Sequence, residues 1–320
     1  MRFALLAAAL AVVVCAAAPR YACASAIYWT EGGMIRTANL DGTNPHDVVG
    51  AFAIGVAFDP VGRQLYVTSN PPLGAPGPSG RIVQMNTDGT NQQIRVLNLD
   101  DPRGLVLEAG AAPDRRMYWG DTIKIGSARL DGTDERTEFS GIASPFDVAL
   151  EGTSVSGRLY WTRQDGDARI PAVMRGQLGG TPEAIVANLP GPTAGVAVDE
   201  AAGFVYWGWD NPFIDGLYSG MIVRSKLDGS DQQTIVSGFY TPASIALDTV
   251  HGKIYWVDVG IPGYASGSIG WANLDGTDRQ VIVSDLKDPR GLALEVPEPS
   301  SLALAGISML LGIRPRRREQ

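Results

Sequence analysis

A tyrosine-led aromatic dyad, or a close variant of it, returns six times along this chain: Tyr28-Trp29, Tyr66-Val67, Tyr118-Trp119, Tyr160-Trp161, Tyr206-Trp207 and Tyr255-Trp256, at intervals of 38 to 52 residues. After each dyad comes a turn signature: Leu40-Asp41-Gly42, Thr87-Asp88-Gly89, Leu130-Asp131-Gly132, Leu178-Gly179-Gly180, Leu227-Asp228-Gly229 and Leu274-Asp275-Gly276. Two markers therefore count the same six units. A repeat of this length, made of short alternating strands and Gly turns, predicts propeller blades; the units of a helical solenoid would show helical periodicity instead. The 39 Gly and 21 Pro suit many turns between many short strands. No helix is expected outside the two ends.

A third element recurs. Pro289-Arg290-Gly291-Leu292-Ala293-Leu294-Glu295 matches Pro102-Arg103-Gly104-Leu105-Val106-Leu107-Glu108 almost residue for residue. Looser copies start at Ile54, Pro145, Ala194 and Pro242. Small and branched apolar residues run together in these segments, as in strands buried on both faces near a crowded axis. Each unit thus reads as an inner strand, a dyad strand, a strand ending at Leu-Asp-Gly and an outer strand. The Asp-Gly turn suits a tight hairpin, since Gly takes positive φ and Asp caps the turn with its own side chain. The first dyad strand opens the body, and the last inner strand ends it. The expected fold is therefore all-β, a six-bladed β-propeller of four-stranded blades, closed by pairing the C-terminal inner strand with the N-terminal blade.

The ends read as sorting segments flanking this body. Residues 1–24 begin with Arg2, run through an apolar stretch and finish in small residues, the pattern of a secretory signal peptide. Both cysteines, Cys15 and Cys23, fall in that segment, so a cleaved chain has no thiol and relies on packing. The division expected is 1–24 signal peptide, 25–295 propeller and 296–320 C-terminal sorting segment. The net charge is −8, which disfavours nucleic acid as a partner.

The dyads, followed by Leu-Asp-Gly and preceded by Pro-x-Gly-Leu-Ala-x-Asp, resemble the YWTD repeats of low-density lipoprotein receptors. That resemblance implies a six-bladed propeller over about 27–295. The fourth motif position is Glu31, Ser69, Asp121, Arg163, Trp209 and Asp258, so a blade-bridging network through a carboxylate is expected to be missing in at least three units. The C-terminal segment Val296-Pro297-Glu298-Pro299-Ser300, with apolar residues to Ile313 and then Arg314, Arg316, Arg317 and Arg318, resembles the PEP-CTERM sorting signal of bacterial exported proteins. It implies transient membrane anchoring and an exosortase-type sorting enzyme as partner, in bacteria that make exopolysaccharide. Pro297, Glu298 and Pro299 form the sorting motif.

Candidate chemistry is sparse. His46 and His251 are the only histidines, sit in different units and are expected in solvated loops, which leaves no His/Cys metal cluster and little for a Ser-His-Asp triad. Carboxylates recur in turn slots or end the inner strands at Asp59, Glu108, Glu151, Asp199, Asp248 and Glu295, which points to architecture. Calcium at Asp228-Gly229-Ser230-Asp231 lacks a complete loop motif, so no cofactor and no metal site are expected.

The loops between second and third strands vary most, at 70–80, 163–171, 208–220 and 257–267, and lie on the face where the inner strands start. They carry Trp209, Phe213, Tyr218 and Tyr264. On the same rim stand Ile54, Arg103, Phe146, Ala194, Ala243 and Arg290, with Arg103 and Arg290 flanking Ile54. Two guanidinium groups there could take a carboxylate or acidic sugar, or each could pair with its local Asp101 or Asp288. The binding candidates are thus Arg103, Arg290, Phe146, Trp209, Phe213, Tyr218 and Tyr264, with no catalytic residue. The chain is expected to be a monomeric, exported, non-enzymatic binding or scaffold module with a glycan or protein ligand. The alternative is a propeller lyase or hydrolase working at the central channel, where Asp147 and Ser244 break the apolar inner-strand pattern.

Overall fold

The computed structural model describes residues 25–70, 80–110, 113–152, 157–164, 171–210, 220–261 and 263–296. Among these residues twenty-four strands form six four-stranded antiparallel sheets and there is no helix. Blade 1 consists of Pro289–Glu295, Ala26–Glu31, Met34–Asn39 and His46–Gly50, in order from the axis outward. Blade 2 follows with Ala53–Asp59, Gln64–Ser69, Gly80–Asn86 and Gln93–Leu99. Blade 3 is Leu105–Leu107, Arg116–Gly120, Lys124–Arg129 and Arg136–Ser140. Blade 4 is Pro145–Glu151, Arg158–Arg163, Ala172–Gln177 and Glu183–Val186. Blade 5 is Thr193–Asp199, Phe204–Trp209, Gly220–Lys226 and Gln233–Phe239. Blade 6 is Pro242–Asp248, Lys253–Asp258, Gly267–Asn273 and Gln280–Leu286. This is the expected six-bladed propeller. Contacts set Ala26–Leu294 apart from the two ends, of which only Ser25, Glu295 and Val296 are described.

Period-two alternation places the core. Adjacent dyad residues point to opposite faces of a blade, so Tyr28 enters the apolar layer between blades 1 and 2 while Trp29 enters that between blades 6 and 1. The same division holds around the ring, giving six apolar layers between six neighbouring sheets. Trp29, Trp119, Trp161, Trp207 and Trp256 are fully buried.

Two devices lock blade to blade. The Asp-Gly hairpins cap themselves: Asp131 Oδ1 accepts from Thr133 N at 2.9 Å and Thr133 Oγ1 at 2.6 Å, which holds its carboxyl below the ordinary range. The glycine then docks on the preceding blade, where a Cβ on Gly132 would lie 2.2 Å from Arg95 O. The turn that departs from the pattern, Leu178-Gly179-Gly180, makes no such approach. The second device is the threonine after the dyad. Thr68 Oγ1 accepts from Gly55 N in its own blade and donates to Arg103 O in the next, at 2.8 and 2.6 Å. Thr30 does the same between Gly291 N and Ile54 O, and Thr162 between Asp147 N and Ala194 O.

Candidate functional site

The inner strands start on one face, which also carries the loops between second and third strands and those leading from each outer strand into the next blade. We call it the top face. There the six inner strands enclose an axial cavity of about 250 Å³, whose mouth carries Ile54, Arg103, Phe146, Ala243 and Arg290. Ala243 lines it although nearly buried, whereas Ala194, also expected at this rim, is buried and does not line the cavity.

Both arginines lie at the mouth, two blades apart, with Ile54 on the blade between them. Each is held by an aspartate two residues upstream. Arg103 Nε and Nη2 donate to Asp101 Oδ2 at 2.9 and 2.7 Å, and Arg290 Nη2 donates to Asp288 Oδ1 at 2.9 Å. The local pairing is therefore realised. Arg103 also lies 5.4 Å from the centroid of the Phe146 ring and reaches Gln164 Oε1 at 3.3 Å. It spans blades 3, 4 and the incoming turn of blade 5, since Gln164 Nε2 donates to Thr193 O.

Asp147 is the carboxylate of the axial lining. It is half-buried in the cavity wall, and desolvation there pushes its carboxyl up to about 7. The opposing influence is two backbone amides: Val148 N donates to Oδ1 and Val196 N to Oδ2, each at 3.0 Å. Asp147 thus staples the inner strand of blade 4 to that of blade 5. A carboxyl near 7 is also the property that a general acid or base requires.

The aromatic candidates separate. Tyr264 is 69% exposed on the top loop of blade 6. Trp209, expected on a free loop, ends the second strand of blade 5 and packs half-buried against the layer between blades 4 and 5. Its strand position explains this, because register carries its ring to the same side as Trp207. Phe213 and Tyr218 lie outside the described residues, as do Pro297, Glu298 and Pro299 and most of both sorting segments.

The fourth motif position behaves as its chemistry dictates. Where it is acidic it ties down the incoming loop: Lys287 N donates to Glu31 Oε1 at 2.8 Å, and Thr241 N to Asp258 Oδ1 at 2.9 Å. Asp121 acts through its neighbour: its Oδ1 accepts from Thr122 N at 2.8 Å, and the Thr122 hydroxyl donates to Asp100 O in the incoming loop at 2.8 Å. At Ser69 the role reverses, and its hydroxyl donates to Ala51 O at 2.5 Å. Sequence reasoning missed the neighbouring Asp210, whose carboxyl burial pushes up to about 7, against a 3.1 Å hydrogen bond from Thr241 Oγ1 and aided by the charge of Asp258. Its signal is only an acid one residue beyond a non-acidic motif position.

The histidines hold no common site. His46 opens the outer strand of blade 1 instead of sitting in a loop, with Nδ1 2.9 Å from Asn44 O, and His251 Nδ1 lies 2.7 Å from Asp248 Oδ2. Asp228 caps its own turn through Ser230 N and Oγ, at 2.9 and 2.6 Å, while Asp231 pairs with Lys226. Among the described residues no three His, Cys, Asp or Glu side chains come together to hold a metal ion.

Residues 252–294 match the family Low-density lipoprotein receptor repeat class B. That class B repeat runs from the second strand of blade 6 into the inner strand of blade 1, across the ring closure. Among curated relatives, the chain is similar to "Low-density lipoprotein receptor-related protein 1" of Pyricularia oryzae, 28% identical over 212 residues, covering 57% of this chain and 65% of that protein. It is also similar to "Protein cueball" of Drosophila willistoni, 29% identical over 159 residues, covering 45% of this chain and 22% of that protein. The chain thus spans less than two thirds of either relative. Among solved structures it is similar to a chain of the "Crystal structure of Nidogen/Laminin Complex", with TM-score 0.68 and 17% identity, covering 86% of this chain and 99% of that one. At that identity the likeness concerns the fold. The chain is a six-bladed β-propeller, one segment of which matches the class B repeat.

Proposed function

We propose that this chain is an exported, non-enzymatic binding or scaffold module of the bacterial cell surface or exopolysaccharide matrix, taking its ligand on the top face. The observation that carries the reading is the mouth itself: two arginine–aspartate hooks on blades 1 and 3, Ile54 between them, and Phe146 beside Arg103, above a cavity of about 250 Å³. Concave sites with a few fixed polar groups over apolar walls are where ligands are held. Tyr264 stands exposed on the same face. Phe213 and Tyr218 belong to the proposed rim by their place in the sequence. The class B repeat and the receptor-related relative support a binding role over a catalytic one.

The compartment rests on sequence. Residues 1–24 support export, and Pro297, Glu298 and Pro299 followed by an apolar and an arginine-rich stretch support hand-over to an exosortase-type enzyme after transient membrane anchoring. Probing peptide and glycan arrays with the purified protein tests the function. Binding that weakens in Arg103→Ala and Arg290→Ala is the expected result, and uniform silence together with turnover of a substrate would reverse it.

A second reading, an axial lyase or hydrolase, is favoured by one observation, the Asp147 carboxyl near 7 inside the cavity. Both its oxygens already accept backbone amides, which suits a staple better than a proton shuttle. Turnover abolished in Asp147→Asn with ligand binding intact would make the enzyme reading the right one.

A further inference from the structure

Each loop that leads into an inner strand carries a characteristic residue two positions before the rim: Phe52, Asp101, Ser144, Pro192, Thr241 and Asp288. Four of these adopt left-handed backbone, with φ of 48° at Phe52, 57° at Asp101, 40° at Ser144 and 56° at Asp288. Asp enters that region at little cost, whereas a bulky aromatic side chain does so only against strain. In blades 3 and 1 the aspartate also serves its arginine, Asp101 with Arg103 and Asp288 with Arg290. In blade 2 the same two positions are Phe52 and Ile54, so an apolar pair replaces the hook. Phe52 is 52% exposed, and the strain is not offset by burial in the core. An exposed aromatic held in a costly conformation marks a position shaped for something other than stability.

Phe52 walls a second cavity of about 240 Å³ between blades 1 and 2, which shares Ile54 and Arg290 with the axial one. Gly32 and Gly33 leave its floor bare. A Cβ on Gly33 would stand 3.6 Å from Phe52 Cδ1, so the glycine keeps the side of the ring open. Asn70 and Asp288 supply planar polar groups. The Asn70 Nδ2 donates to Asp101 Oδ1 at 2.6 Å, which leaves its carbonyl oxygen open, and Arg290 binds Asp288 through Nε and Nη2, which leaves Nη1 open. Charge is balanced locally, because Glu31 is engaged by Arg36 and Lys287 N and Arg290 is engaged by Asp288.

We propose that this cavity is a saccharide subsite, in which Phe52 seats one neutral pyranose ring of a polysaccharide chain while Asn70, Asp288 and Arg290 bond its hydroxyl groups. A sugar ring presents an apolar C–H face to an aromatic side chain, and adjacent hydroxyls match the paired donors and acceptors of Asp, Asn and Arg. The balanced charges favour a neutral ring over an acidic one. The adjoining axial cavity gives the chain a second place to rest, so an oligomer should bind better than a single sugar. The proposal rests on the reading of the chain as a binding module.

The test uses the purified full-length protein and neutral hexasaccharides, namely cellohexaose, laminarihexaose and mannohexaose, beside hexagalacturonate and a peptide library, read by saturation-transfer NMR and calorimetry. At least one neutral hexasaccharide is expected to bind, with signal transferred to its ring C–H protons. Phe52→Asp copies the residue at 101 and 288, so it should keep the thermal midpoint while weakening binding about tenfold or more. Phe52→Trp should retain binding. Neutral sugar binding that is unchanged in Phe52→Asp would overturn the subsite. If only hexagalacturonate or peptides bind, the saccharide subsite falls while the binding module stands. Silence from every probe would sink the subsite, and silence joined to turnover of a substrate would sink the binding module with it.

Discussion

Thr30, Thr68 and Thr162 each use one hydroxyl twice, accepting an amide of their own inner strand and donating to a carbonyl of the next blade. Where the position is Gly120 or Gly208 the next blade closes the gap with its backbone, and a Cβ would meet Pro145 O or Pro242 O at 2.7 or 2.6 Å. Thr68→Val keeps the shape but leaves Gly55 N and Arg103 O without this partner, so a loss of about 1–3 kcal/mol is expected in urea unfolding. Asp147 gives a pH prediction of definite sign. Its carboxyl titrates near 7 in the fold and at about the ordinary 3.8 when unfolded, so between these values the folded chain binds the extra proton. The stability it contributes is complete below the unfolded value and is lost as pH rises toward 7. Asp210 acts in the same direction over the same window. Asp59, whose carboxyl is held low, titrates below that window. The urea midpoint should therefore fall between pH 4 and 7, and Asp147→Asn should flatten that fall; an unchanged slope would assign the titration elsewhere.

At the level of strands and turns, the hairpin glycines do more than reverse the chain. Gly132→Ala would place a methyl 2.2 Å from Arg95 O at φ 88°, so both the turn and its seat on blade 2 must shift. A loss of more than about 1 kcal/mol is expected, measured against Gly179→Ala, whose turn also needs positive φ (76°) but touches no neighbouring blade. The difference between the two variants isolates the docking. On the opposite face, Arg115 ahead of the second strand of blade 3 grips Asp59 at the end of the inner strand of blade 2, at 2.7 and 2.9 Å, with both side chains buried. Arg115→Ala strands a buried carboxylate and should cost about 3–5 kcal/mol by urea denaturation. Strand order, blade count and the facing of the dyads were legible because alternation and Asp-Gly turns are local signals repeated six times. The partners of the turns were not legible. That Gly132 meets Arg95, or that Asp59 meets Arg115, depends on the step between blades, which no local pattern encodes. The rim was readable in part for the same reason: Arg103, Phe146 and Arg290 occupy one position of the repeated inner-strand segment. Phe52 went unnoticed because its meaning appears only when six incoming loops are superposed, and Trp209 was misplaced by one strand end.

For the ring as a whole, closure is the feature on which every other assignment depends. Blade 1 takes its inner strand, Pro289–Glu295, from the far end of the chain, and Gly291 N is bonded to Thr30 Oγ1 across 261 residues of sequence. Leu292 joins the apolar layer between blades 6 and 1, and Ala293 that between blades 1 and 2, so one strand contributes to two of the six layers. Pairing of this range closes a very long loop, whose entropic cost is met only once the intervening blades are in place. Removing residues 289–295 therefore does not trim an edge. It strips the inner strand from blade 1 and takes Leu292 out of the layer shared with blade 6 and Ala293 out of the layer shared with blade 2. The truncated chain is expected to lose the single cooperative urea transition of the intact protein, with near-ultraviolet dichroism of the buried tryptophans collapsing while strand signal persists in the far ultraviolet. Adding a synthetic peptide of sequence 289–296 should restore part of the tryptophan signal in a saturable way, because the groove it fills is formed by residues already in the chain. A truncated chain that still unfolds in one sharp transition at an unchanged midpoint would show that blade 1 stands with three strands, and the seal would then be an ornament of the fold instead of its closure.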